Sequence, residues 1–172
     1  MPLEGYPPMD ISNLVRYNDK VRSLYYEALA ELPWQEVVKF KGLSFDSMRD
    51  VFLHLTLVED RWINYTLIEH FSEWKEPVFK EFTDIDRIKA YMVAVHENTE
   101  EFLKTLKPEE YENTVPNPWM QGTTISIETG LTHMVMECMV HFGELSAAFW
   151  QAGKEAPYLA FLRYELSKTL KN

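Results

Sequence analysis

Four stretches of this chain place apolar side chains three and four residues apart, and each is bounded by prolines, glycines or polar loops. That spacing follows the 3.6-residue turn of an α-helix and gives each stretch one apolar face, which another element has to cover. The clearest runs through Met48, Val51, Leu55, Val58, Trp62 and Tyr65. It follows Ser47-Met48-Arg49-Asp50, a capping-box pattern with Asp where Glu or Gln is usual, and it predicts a helix from Ser47 to about residue 72. A first helix is expected over residues 10–32, capped by Asp10 or Ser12 and stopped by Pro33, with Leu14, Tyr17, Val21, Leu24, Leu29 and Leu32 on its stripe. A third, from about Thr83 or Asp84 to Leu106, has Thr83-x-x-Asp86 as its capping signal and carries Ile85, Ile88, Met92, Val95, Thr99, Phe102 and Leu106. The fourth opens near Ser126, where Glu128 suits the positive end of the helix dipole, and ends near Gly153. A short amphipathic helix over residues 156–170 presents Leu159, Leu162, Leu166 and Leu170 on one side.

No stretch alternates like a strand, and six glycines in 172 residues argue against a turn-rich all-β chain. The expected fold is all-α, a four-helix bundle with an additional short C-terminal helix, formed as a single domain over residues 1–172. Residues 108–125, with Pro108, Pro116, Pro118 and Gly122 around Trp119, form the longest irregular stretch; a connection of that length is usually functional or a crossover. A net charge of −10, from 17 basic and 27 acidic residues, would repel a phosphate backbone, so nucleic acid is not an expected partner. No run of about 18 apolar residues occurs, so no membrane span is expected. The first residues hold an early acid, Glu4, and no apolar run, so a cytoplasmic protein is the plain expectation. The single cysteine, Cys138, excludes an intramolecular disulfide and lies on the fourth helix's apolar stripe, where it reads as a small buried residue. No serine-nucleophile motif, Walker loop or dinucleotide fingerprint is present.

The histidines can be placed by angle. With His141 at the origin, Ile127, Met134, Cys138, Leu145 and Ala148 fall between about −20° and +60°, so His141 sits inside the apolar stripe. Glu137 falls at about −40°, Glu144 near −60° and His133 at about −80°. His133 and His141 are about 12 Å apart along the axis, too far to share one ion with bonds of about 2 Å. Either His133 with Glu137 or Glu137 with His141 can do so, and burial favours the second pair. His54 lies beside Val51, Leu55 and Val58 on the second helix and can face the fourth. His70 points away, and His96 is one step off the third helix's stripe; both read as surface residues. A lone inward histidine is more often a hydrogen-bonded core group than a ligand, so spacing alone gives His54, Glu137 and His141 only a modest weight as a metal site.

Those same residues resemble a known family. Ser47-Met48-Arg49-Asp50-Val51-Phe52-Leu53-His54-Leu55 is similar to the Ser-x-Arg-Asp-x-Leu-x-His stretch of DinB-like four-helix bundle proteins. His133, Glu137 and His141-Phe142-Gly143-Glu144-Leu145, followed by Gln151-Ala152-Gly153 and Pro157, are similar to that family's late motif of spaced histidines, Arg-Gly-Gln, Gln-x-Gly and proline. Leu14-Val15-Arg16-Tyr17-Asn18 and Leu29-Ala30-Glu31-Leu32-Pro33 fit the first helix, so the resemblance covers about residues 10–165. It implies a metal held by one side chain of the second helix and two of the fourth, which carries over to His54, Glu137 and His141. The family includes thiol S-transferases that use thiols such as bacillithiol, and a related branch of mycothiol-dependent maleylpyruvate isomerases. Many members have His where this chain has Glu137, but the isomerase branch uses a His-Glu-His set. Phe142 and Glu144 stand where Arg and Gln are usual.

Two imidazoles and a carboxylate leave a coordination position open for water or a thiol, and a bound divalent cation lowers the pKa of either. The expected cofactor is a divalent ion, zinc or nickel first and manganese as an alternative, with a low-molecular-weight thiol as a candidate co-substrate. The expected partner is a small-molecule substrate. Trp62 and Trp119 are candidates for pocket walls, and His133 and Glu144 for proton-accepting groups around the metal. The opposite side of the fourth helix is also apolar, with Val135, Met136, Met139, Val140 and Phe142. A helix apolar nearly all round is surrounded by protein, either a fifth helix or a second subunit; a homodimer is the expectation, since two-fold dimers are the commonest oligomer. The rival reading is a non-catalytic bundle, with or without metal, acting as an interaction scaffold.

Overall fold

A computed structural model of the chain describes residues 10–69 and 73–169. The helices in chain order are α1 (Ile11–Ala30), α2 (Trp34–Val37), α3 (Met48–Asp60), α4 (Ile85–Thr105), α5 (Ile127–Gln151) and α6 (Phe161–Thr169). Helices α1, α3, α4 and α5 form the bundle: α5 and α4 each pack against both α1 and α3. Their apolar stripes meet in one continuous core that runs from Ile11 to Phe149 and includes Leu55, Met134, Cys138 and Leu145. All five residues placed by angle beside His141 are buried.

The starts of the helices follow their capping chemistry. The side chains of Asp10, Ser47, Asp84 and Ser126 each accept the backbone N–H three residues on. Asp84 therefore caps α4, one residue after the expected Thr83. At α3 the Asp50 carboxylate accepts the Ser47 hydroxyl at 2.6 Å, which holds the entry turn rigid just ahead of His54. The C-terminal helix begins later than its leucine spacing suggests, at Phe161, and is held to α1 by the rings of Phe161 and Tyr164 against Tyr17.

Two departures from the expected elements shape the site. The second long helix does not continue as α-helix; Arg61–Leu67 is a π-helical segment, with the Ile68 N–H donating to the Ile63 carbonyl at 2.9 Å. The Thr66 hydroxyl donates to the Arg61 carbonyl five residues back. A widened turn changes which side chains face the neighbouring helix, and such turns are frequent at functional sites. Residues 70–72, which hold the expected end of that helix and His70, lie outside the described residues. Within the irregular 108–125 stretch is a small antiparallel hairpin, β1 (Thr114–Pro116) paired with β2 (Thr124–Ser126), with Val115 opposite Ile125. Three-residue strands are too short for alternation to show in sequence. The carbonyls of Tyr111 and Asn113 accept the first N–H groups of α5, so the hairpin's approach also caps that helix.

A charged cluster crosses the bundle core. Arg22 of α1 is fully buried and meets the equally buried Glu59 of α3 in an ion pair of 2.6 Å. Thr99 of α4 donates to the other Glu59 oxygen at 2.6 Å. A second arm of Arg22 reaches Asp19 at 3.0 Å, and Asp19 in turn meets His96 at 3.1 Å. Burial disfavours the Arg22 charge most strongly of any single cause, but Glu59 and Asp19 together outweigh it and raise the guanidinium pKa. His96, expected at the surface, is half-buried; its bond to Asp19 raises its pKa above the ordinary histidine value.

Candidate metal centre

His54 and the α5 pair Glu137 and His141 converge. Each offers a ligand atom, and the three atoms lie within 4.8 Å of one another. The packing of α3 on α5 brings them together: the ladder Met134, Cys138, Leu145 locks α5 into the core and leaves the 137/141 edge turned toward His54. The His54 and His141 rings meet edge-on with centroids 4.5 Å apart. His54 Nε2 lies 3.7 Å from Glu137 Oε1. All three side chains are partly accessible, so the site is open to solvent on one side. The spacing left open whether His133 or His141 pairs with Glu137 toward His54, and the structure groups His141 with them. His133 instead meets the second oxygen, Glu137 Oε2, at 3.3 Å, from a more exposed position. Glu137 is held below the usual carboxylate range: the nearby His54 imidazole acts most strongly, burial opposes it, and His133 and His141 add to the lowering.

The donor chemistry fits a divalent cation. His141 Nδ1 lies 2.5 Å from Glu144 Oε2. A carboxylate on Nδ1 keeps the proton there and leaves Nε2 with its lone pair free, the arrangement in which histidine binds metals. Glu144 is itself fixed, accepting the Ser44 backbone N–H at 3.1 Å and the Ser44 hydroxyl at 2.7 Å. Partial burial pushes the Glu144 pKa up, but the bonds from His141 and Ser44 more than offset this and lower it. Two imidazoles and one carboxylate are ligands that zinc, nickel and manganese all accept.

Two clefts open beside the three candidate ligands. One, of about 210 Å³, is lined by Val58, Arg61, Trp62, Trp119, His133 and Glu137. The other, of about 300 Å³, is lined by Phe45, His54, Leu57, Arg61, Glu76, Pro77 and Phe79. The hairpin explains Trp119, whose ring lies 4.7 Å from that of Trp62, while Trp62 lies 5.1 Å from the His133 ring. Trp62 is backed by α5 at Gly130, where a Cβ would come within 3.2 Å of the indole. A larger groove of about 710 Å³ is lined by Asp10, Ile11, Pro108, Glu109, Tyr111, Glu112 and Glu128, away from these ligands, and offers no imidazole. Cys138 points into the core, its thiol 3.7 Å from the Leu55 carbonyl; burial pushes its pKa up to about 12, so it packs and does not react.

Several residues at the site escaped the sequence reading. Phe45 stacks on His54 at 4.2 Å and meets His141 edge-on at 5.8 Å. It and Ser44 sit in a connection without periodicity, so nothing in the sequence marked them. Arg61 carried a usable signal: seven residues after His54 is about two helical turns, which returns to the same face. Phe142, where the resemblance places Arg, is buried and stacks on Tyr25 at 5.2 Å, so it serves the core.

Among the described residues no helix is long and apolar enough to cross a membrane. No curated protein matches the chain. A model of the DinB family matches residues 4–171. That match covers nearly the whole sequence and agrees with the helical bundle described above: the chain belongs to the DinB family.

Proposed function

We propose that this protein is a metal-dependent enzyme acting on a small molecule, with a thiol or water as nucleophile, in an S-transfer, isomerisation or hydrolysis reaction. The convergence of His54, Glu137 and His141 between two clefts carries this reading. A divalent ion held there, zinc or nickel by ligand type and manganese as the alternative, supplies Lewis acidity that lets a thiol or water lose its proton near neutral pH. Glu144 holds His141 in the ligating tautomer. His133, at the rim of the tryptophan-walled cleft, takes the proton at its ring and passes it to solvent; its position on that rim supports this role. Trp62 and Trp119 form an aromatic wall of the cleft beside His133.

Purified protein reconstituted with zinc, nickel or manganese is expected to turn over thiols with electrophilic acceptors, and a chelator is expected to stop it. His133→Ala should lower turnover by about a hundredfold while leaving the metal content unchanged. The replacement of the family's usual Arg and Gln by Phe142 and Glu144 favours the rival reading of a non-catalytic bundle. Stoichiometric metal with no turnover on any thiol or hydrolysis panel would support that rival.

The assembly part of the reading is a two-fold homodimer through α5. Val135 and Phe142 are absorbed by the chain's own core, but Met136, Val140 and Trp150 are 63%, 66% and 71% exposed. With the exposed Gly143 and Ala147 they lie on one face at intervals of four and three residues. The face is nearly palindromic about Gly143. An antiparallel second copy sets Met136 against Trp150 and Val140 against Ala147, with the glycine allowing close approach. Sedimentation equilibrium should show a dimer that Val140→Glu converts to monomer; a monomeric wild type would contradict it.

A further inference from the structure

We infer that Arg61 is the anion-binding residue of this site, and that the small molecule it admits carries a carboxylate on an apolar or aromatic body. The inference rests on the small-molecule reading above and narrows its substrate class. Arg61 is the one residue that lines both clefts beside the ligand group. Among the described residues it is also the only Lys or Arg lining either of them. In a chain of net charge −10 an anionic ligand meets general repulsion, so its binding needs a dedicated cation. A guanidinium suits that task because its planar fork matches a carboxylate with two parallel hydrogen bonds.

The side chain is held in place yet has a replaceable partner. Arg61 begins the π-helical segment, and its carbonyl accepts the Thr66 hydroxyl at 3.1 Å. The Trp74 ring lies 5.9 Å from the guanidinium carbon. Its Nη2 meets Glu76 Oε2 at 2.8 Å, and the Glu76 side chain is 58% exposed. Glu76 belongs to a stretch without regular structure. An ion pair so open to water holds little free energy, so an incoming carboxylate can take the place of Glu76. Arg61 also lines the first cleft, together with Val58, Trp62, Trp119, His133 and Glu137. Aromatic walls with one cation select a molecule whose body is apolar and whose end is a carboxylate. At about 210 Å³ that cleft accepts a molecule the size of a single aromatic acid.

The test compares phenylacetate with phenylacetamide, which differ in charge and hardly in shape. Binding is followed through the indole N–H resonances of Trp62 and Trp119, in metal-free and in zinc-loaded protein. In the metal-free protein phenylacetate is expected to bind at least about tenfold more tightly than the amide. Arg61→Met should abolish that preference. Glu76→Gln should tighten phenylacetate by about twofold to fivefold, since it removes the competing carboxylate. Circular dichroism checks that both variants remain folded, and Arg61 is partly exposed, so no core contact is lost. Equal affinities, a preference that survives Arg61→Met, or no saturable response to phenylacetate would overturn the inference. A preference that appears only with zinc and survives Arg61→Met would mean that the anion binds the metal; this overturns the role of Arg61 and leaves the metal site intact. Failure of zinc to bind would remove the metal site, and the metal-free titration would still decide the role of Arg61.

Discussion

Replacing Glu59 by Leu is expected to lower the free energy of unfolding by about 3–5 kcal/mol, a large part of the stability of a domain this size. The reason is the position of its partner. Arg22 is fully buried, and Glu59, also fully buried, lies 2.6 Å from its guanidinium. Removing the carboxylate leaves a guanidinium in the core with only the partly accessible Asp19 to balance it, and leaves Thr99 without its acceptor on α3. Arg22→Met should cost a similar amount, because it strands Glu59 as an unpaired buried carboxylate. The double variant, Arg22→Met with Glu59→Leu, should recover to within about 2 kcal/mol of the wild type, since two apolar side chains fill the same space without a desolvated charge. Urea denaturation of the four proteins checks this. If the two losses simply add, Arg22 and Glu59 do not act as a pair.

That cluster also shows what periodicity hides. The stripes on the four long helices were legible because burial of an apolar face imposes a 3.6-residue rhythm, and the caps were legible because few side chains can satisfy a free N–H. Arg22 and Glu59 obey neither rule. A buried ion pair looks like two surface charges until the helices are set side by side. The π-helical turn at Arg61–Leu67 was hidden for a related reason: it keeps helical composition and changes only the hydrogen-bond ladder. At the site, angle and spacing reached Glu137 and His141 on one helix edge, and His54 on its own apolar face. What they could not supply was the register between α3 and α5, which decides that His141 joins His54 and Glu137 while His133 takes the outer oxygen. Nor could they supply Ser44 and Phe45, whose loop has no repeating geometry but which hold Glu144 and cover His54.

The second large effect is loss of metal. His54→Ala and His141→Ala each remove one of the three proposed ligands, and a two-ligand remnant is not expected to retain a divalent ion through desalting. Glu144→Ala acts one step away: it frees the His141 ring to turn and to change tautomer, and should weaken affinity by about 10- to 100-fold without abolishing binding. His133→Ala should leave the metal in place, because His133 stands on the outer side of Glu137. The ordering of these four variants separates a built site from an incidental cluster of side chains. The most direct measurement is elemental analysis of the purified protein after reconstitution with zinc, nickel or manganese and removal of excess ion. About one divalent ion per chain in the wild type and in His133→Ala, with none in His54→Ala or His141→Ala, is the predicted result; a wild type that retains no metal, or a His54→Ala variant that retains a full complement, would contradict it.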